Sequence, residues 1–171
     1  MPNYRRLYLP AQAVFITSNT HQHKRIFSAY DNINLLIHVM ENVKSIHPFE
    51  LLAYTIMPDH IHLLIQTPED TPTYSPVIHS IKRNFSFEYK KLHRITRSIS
   101  IWQDRFYDHV IRDDNDFNNH LDYIHYNPVN HRFVQDPLDW KWSSFRNWMD
   151  EGFYESGWGC GEPPQTISKL N

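Results

Sequence analysis

The sequence predicts an α+β protein: a ferredoxin-like antiparallel sheet with helices packed on one face. Three observations predict it. The hydrophobic segments run strand, helix, strand, strand, helix, strand, helix. The two middle strands are separated only by Pro58-Asp59, a turn signal that makes them a hairpin. The chain has 171 residues, 40% hydrophobic and 21% charged, which matches one globular domain and not a disordered chain.

The elements follow in order. Ala13 to Ser18 reads as a short strand. Asn32 to Ser45 carries Ile33, Leu36, Ile37 and Met40 at helical spacing, with Asp31 as its N-cap. Phe49 to Met57 is a nearly continuous apolar run of strand length, and His60 to Gln66 is its hairpin partner. Thr67 to Pro76 holds three prolines and reads as a loop, followed by a helix from Val77 to Leu92. Ser98 to Ile111 has the apolar residues of a strand. Asp113 or Asp114 caps a helix running toward Tyr126, and Pro128 is expected to stop it, because proline disfavours a helical residue before it. Residues 1–150 read as a single domain and 151–171 as an irregular tail.

Composition narrows the function. Four glycines argue against a glycine-rich phosphate loop, and the single Cys160 excludes an internal disulfide framework. No run approaches the length of a membrane span, and the first residues lack the apolar stretch of a signal peptide, so a soluble cytoplasmic protein is expected. Net charge is −2, yet it is unevenly placed. Residues 1–30 carry Arg5, Arg6, Lys24 and Arg25 with no acid. Residues 79–103 carry Lys82, Arg83, Lys90, Lys91, Arg94 and Arg97 against Glu88 alone, interleaved with Phe85, Phe87 and Tyr89. Cations mixed with aromatics suit single-stranded nucleic acid, and equally a solvated amphipathic helix.

Two constellations carry chemistry. In a strand, side chains alternate faces, so His60, His62 and Leu64 share one face while Ile61, Leu63 and Ile65 enter the core. Two imidazoles one strand repeat apart can converge on a divalent ion, or simply decorate an exposed sheet face. In the last helix, Phe117, Leu121 and Ile124 face the core. Tyr123 and Asn127, spaced i and i+4, share another face, with His120 a turn before. A tyrosine, a carboxamide and the two histidines can meet in one pocket if this helix packs beside the hairpin. His21 and His23 repeat the His-x-His spacing without a strand pattern.

These residues resemble the single-strand tyrosine transposases of the HUH superfamily, in the branch associated with repetitive extragenic palindromes. The likeness is carried by Asn3-Tyr4-Arg5-Arg6, Met57 to His62, Ile101 to Arg112, Asp122 to Val129 and Trp140 to Ser144, in order, over roughly residues 3–150. The resemblance implies an HUH-type fold, with His60 and His62 as metal ligands, Asn127 as the third ligand and Tyr123 as the nucleophile. Tyr126 is the rival, on a different helical face. It implies Mg2+ or Mn2+ as cofactor. The expected reaction is cleavage and rejoining of single-stranded DNA at hairpins through a 5′-phosphotyrosine, by a monomer in preference to a dimer. Candidate DNA contacts are Arg5, Arg6, Lys24, Arg25, Lys82, Arg83, Lys90, Lys91 and Arg94. Phe85, Tyr89 and the Trp140/Trp142 region are candidates for base stacking, with core packing the favoured role for the tryptophans. Two readings compete: a non-catalytic single-strand-binding module, and a zinc hydrolase using the histidines with Asp59 or Asp122.

Overall fold

The computed structural model describes residues 13–70, 73–161 and 163–167. Arg5 and Arg6, with the opening motif, lie outside the described residues. The chain runs β1 (Ala13–Asn19), α1 (Tyr30–Ile46), β2 (Glu50–Ile56), β3 (His60–Gln66), α2 (Ser75–Leu92), β4 (Tyr107–Val110), α3 (Asp114–Asn130) and α4 (Phe145–Asp150). The sheet order is β2-β3-β1-β4 with every neighbouring pair antiparallel, the expected ferredoxin-like arrangement.

Alternation along the two central strands builds a two-faced layer. Val14 and Ile16 of β1 and Ile61, Leu63 and Ile65 of β3 point to one face. There they pack with Leu36, Val39 and Val43 of α1 and Ile78, Ile81 and Phe85 of α2. Phe15, Ala53 and Leu64 point the other way, under Phe117, Leu121 and Ile124 of α3 and under Phe145 and Tyr154. So α1 and α2 cover one face as expected, and α3 lies across the opposite face, over the histidines.

Four local expectations are corrected. Only Tyr107–Val110 of the 98–111 stretch pairs as a strand. Ile101 and Trp102 instead bury their side chains in the α1/α2 core, and Lys82 of α2 holds the carbonyls of Gln103 and Asp104. The α1 helix starts at Tyr30, so Asp31 lies in its first turn, where it favours the helix dipole, and is not the cap. Pro76 is inside the first turn of α2, where a missing N–H leaves no bond unmade. Pro128 is inside α3 and does not stop it. The helix ends instead at a Schellman turn: Arg132 takes a left-handed φ of 60°, its N–H reaches the Val129 carbonyl, and the Phe133 N–H reaches the Pro128 carbonyl at 3.0 Å. The segment after Gly152 is irregular but packed, with Tyr154 and Ile167 buried.

Candidate active site

β3 and β1 build the first half of the site. His60 and His62 face α3 and are 8% and 3% exposed, with ring centroids 4.8 Å apart. Thr17, the cross-strand partner of His62, sets its Oγ1 2.8 Å from His62 Nδ1. His62 Nε2 is buried and has no hydrogen-bond partner. Burial, with His60 and His131 nearby, pushes the His62 pKa well below its ordinary value, so the ring is neutral, and Nε2 carries a lone pair in the tautomer whose Nδ1–H is given to Thr17 Oγ1. His60 Nδ1 lies 2.7 Å from Asp59 Oδ1, and its Nε2 lies 3.3 Å from Asn127 Oδ1.

α3 builds the second half. Its start is capped by Asp113, whose carboxylate accepts the Asp116 N–H at 2.9 Å. Phe117, Leu121 and Ile124 then anchor it to the sheet, which turns Tyr123 and Asn127 toward β3. The Tyr123 ring sits 5.2 Å from the His62 ring, nearly perpendicular to it, and 5.8 Å from Phe15. Burial raises the Tyr123 pKa above its ordinary value, partly opposed by the Asn127 amide. At neutral pH the phenol therefore keeps its proton.

The donors fit a divalent cation. His60 Nε2, His62 Nε2 and Asn127 Oδ1 are two imidazole nitrogens and one amide oxygen. With its Nδ1–H given to Asp59, His60 turns a lone pair toward Asn127 Oδ1 unless a proton or a cation lies between them. A second cluster, His109, Asp116 and His120, also brings its ligand atoms within 4.8 Å of one another. Its carboxylate is already occupied: Asp116 accepts from His109 at 2.8 Å and from the Arg112 backbone N–H at 3.0 Å, with the Arg112 guanidinium at 3.4 Å. That cluster is a hydrogen-bonded clamp, and the adjacent guanidinium disfavours a cation.

Known proteins are similar to this chain in sequence and fold. The family model described as "Transposase IS200 like" matches residues 10–127. A Haemophilus influenzae protein assigned as a REP-associated tyrosine transposase is 38% identical, over 98% of each chain. The Escherichia coli K12 REP-associated tyrosine transposase is 33% identical over 92% of this chain and 91% of its own. This chain belongs to the REP-associated tyrosine transposases. A solved structure of a REP-associated tyrosine transposase bound to a REP hairpin matches with a TM-score of 0.77 at 31% identity, covering 96% of this chain and 94% of that one. The transposase described here is therefore a member of an enzyme family that acts on DNA.

The other residues singled out from sequence separate in space. Lys24 and Arg25 follow β1, and the Arg25 guanidinium lies 5.6 Å over the Phe133 ring. Phe133 in turn stacks near His131, whose ring is 5.3 Å from His60. Lys82 is turned inward onto backbone carbonyls. Arg83, Lys90 and Lys91 belong to α2 and Arg94 follows it, on the sheet face away from the histidines. Phe85 is fully buried and Tyr89 packs on it, so Phe85 is a core residue and not a stacking platform. Trp140 donates to the Ile56 carbonyl and Trp142 packs on Tyr30, the packing roles expected for them. Tyr126 is buried against Trp158, away from the histidines. Asp122 is turned toward Tyr154 and Thr166, so it does not complete a hydrolase site.

Sequence reading missed Thr17, which only the β1–β3 register reveals. It also missed Phe15, the ring against which His62 and Tyr123 pack. His131 carried a signal that was available, since it stands one helical turn after Asn127.

Proposed function

We propose that this transposase cleaves and rejoins the unpaired flanks of a DNA hairpin through a covalent bond between Tyr123 and the 5′-phosphate. The observation that carries this reading is the convergence, within one chain, of Tyr123, His60, His62 and Asn127 around a buried imidazole nitrogen that no protein group satisfies. Mg2+ or Mn2+ held by the two imidazoles and the amide would polarise the scissile phosphate and offset its developing charge. Thr17 and Asp59 orient the two rings so that both Nε2 atoms face the substrate. The phenolic oxygen of Tyr123 forms a bond to phosphorus, its proton passes to solvent, and the bond to the 3′-oxygen breaks, that oxygen taking a proton from solvent to leave a 3′-OH. In the reverse sense a 3′-OH attacks the phosphotyrosine, the strands rejoin and the phenol is restored. The bond energy is kept throughout, so no nucleotide cofactor is needed.

The hairpin substrate is carried over from the relative whose structure holds a REP hairpin. Lys24 and Arg25, beside His131 and Phe133, are the described cations best placed to meet the phosphates near the site. The cations of the α2 segment serve more distant duplex contacts. Because one chain supplies every residue of the site, a monomer suffices, acting in the cytoplasm with its DNA. Covalent trapping tests the proposal: labelled hairpin with single-stranded flanks is mixed with the transposase and Mn2+ and run on a denaturing gel. A shifted band is expected with the native chain and none with Tyr123→Phe. A band that survives Tyr123→Phe would assign the nucleophile elsewhere.

A further inference from the structure

Beside Tyr123 lies an open cavity of about 340 Å3, lined by Phe15, Thr17, His62, Tyr107, His120 and Tyr123. It has the size of a small-ligand site. Three of the six are flat aromatic hydrocarbons or phenols and two are imidazoles, and none is a lysine or arginine. Such walls do not suit a phosphate. They suit a planar group that stacks.

The parts are held in place. Phe15 is 4% exposed and forms the floor, edge-on to Tyr107 at 6.2 Å and to Tyr123 at 5.8 Å. Tyr107 stands on the edge strand β4 and is 58% exposed, a large aromatic left open to solvent at the cavity mouth. His120 is 4% exposed and tilted on Phe15 at 4.8 Å. Its Nδ1 lies 2.8 Å from the Asp116 carbonyl oxygen, which can only accept, so Nδ1 carries the proton and Nε2 is left as the ring's acceptor. His109 stacks on the same ring at 4.5 Å and is itself tied to Asp116 at 2.8 Å. The clamp formed by His109 and Asp116 thus fixes both the plane and the tautomer of an imidazole that lines the cavity.

We propose that this cavity receives an unpaired nucleobase of the strand next to the scissile phosphate, stacked against Tyr107 and offering an N–H to His120 Nε2. The inference rests on the DNA reading above and adds a specificity site to it. Stacking makes the pocket tolerant of which base enters, while the fixed Nε2 acceptor of His120 favours a base edge that presents a donor.

The test uses Tyr123→Phe protein, which leaves the DNA uncleaved, and hairpins carrying the fluorescent base 2-aminopurine at each position of the single-stranded flank in turn. One position is expected to lose fluorescence on binding, and Tyr107→Ala, an exposed substitution, is expected to restore it. An abasic site at that position should weaken binding by about five-fold or more in the parent and by much less in Tyr107→Ala. His120→Gln, whose amide can donate as well as accept, should alter which base is preferred there. Binding without quenching at any position, or quenching indifferent to Tyr107→Ala, would overturn the proposal. If the native chain forms no covalent adduct while the Tyr107-dependent quenching persists, the tyrosine chemistry fails and the base pocket stands.

Discussion

At the scale of single residues, the site works by leaving certain atoms bare and fixing their neighbours. His62 Nδ1 is engaged by Thr17 and His60 Nδ1 by Asp59, so each ring has one held nitrogen and leaves Nε2 for the proposed cation. Asp59 also lies 3.5 Å from His23, which places one member of the second His-x-His pair beside the residue that holds His60. A carboxylate behind a ligating histidine orients it and strengthens it as a donor, and removing such a partner typically lowers metal affinity by about 10- to 100-fold. Asp59→Asn is therefore expected to weaken Mn2+ binding by about that factor in a calorimetric titration, with little change in thermal midpoint, because Asp59 is partly exposed. An unchanged affinity would mean that His60 is not a ligand.

At the scale of elements, α3 carries the proposed nucleophile, Tyr123, on one side and a buried acid on the other. Asp122 is buried and accepts from Tyr154 at 3.0 Å and Thr166 at 2.7 Å. Desolvation raises its pKa to about 6, against the pull of those two hydroxyls. The folded state thus binds the proton more tightly than the unfolded chain, whose carboxyl titrates near 3.8. The Asp122 contribution to stability is fully present below about pH 4 and is lost as pH rises to about 6, a change of roughly 3 kcal/mol. Asp122→Asn should remove this dependence. The difference in thermal midpoint, variant minus native, is expected to climb between about pH 4 and 6 and then level off; a flat difference would show that the carboxyl is already ionised in the fold. Taking the difference cancels the opposite trend from buried neutral His62 and His125, which destabilise the fold as pH falls. Elements of this kind were only partly legible from sequence. The alternation of His60 to Ile65 and the i, i+4 spacing of Tyr123 and Asn127 are local patterns, and both survive in the fold. The extent of β4 depends on pairing with β1, some 90 positions earlier, and the partners of Asp122 stand 32 and 44 positions away, and no local period encodes such contacts.

At the scale of the whole molecule, the sheet separates two cores with different duties. The face under α1 and α2 is a plain apolar core. The face under α3 holds the site, and α3 is pressed onto it by the segment after Gly152: Tyr154 packs in the same core as Phe15 and Leu64, donates to Asp122, and lies 2.9 Å from the buried His125 Nδ1. The proposed cation needs ligands from both sides of this junction, His60 and His62 from the sheet and Asn127 from α3. Losing packing on the α3 side should therefore disturb the site, whereas an equal loss on the other side should not. Tyr154→Ala and Leu36→Ala each remove a buried side chain, at a cost of about 3 kcal/mol or more. Both are expected to lower the thermal midpoint by ~5 °C or more. Measured where both variants remain folded, Mn2+ affinity should fall in Tyr154→Ala and stay at the native value in Leu36→Ala, because only the former loosens the helix that presents Asn127 to His60. Equal affinities in the two variants would mean that α3 is held in register by the sheet alone, and that the terminal segment contributes stability without shaping the site.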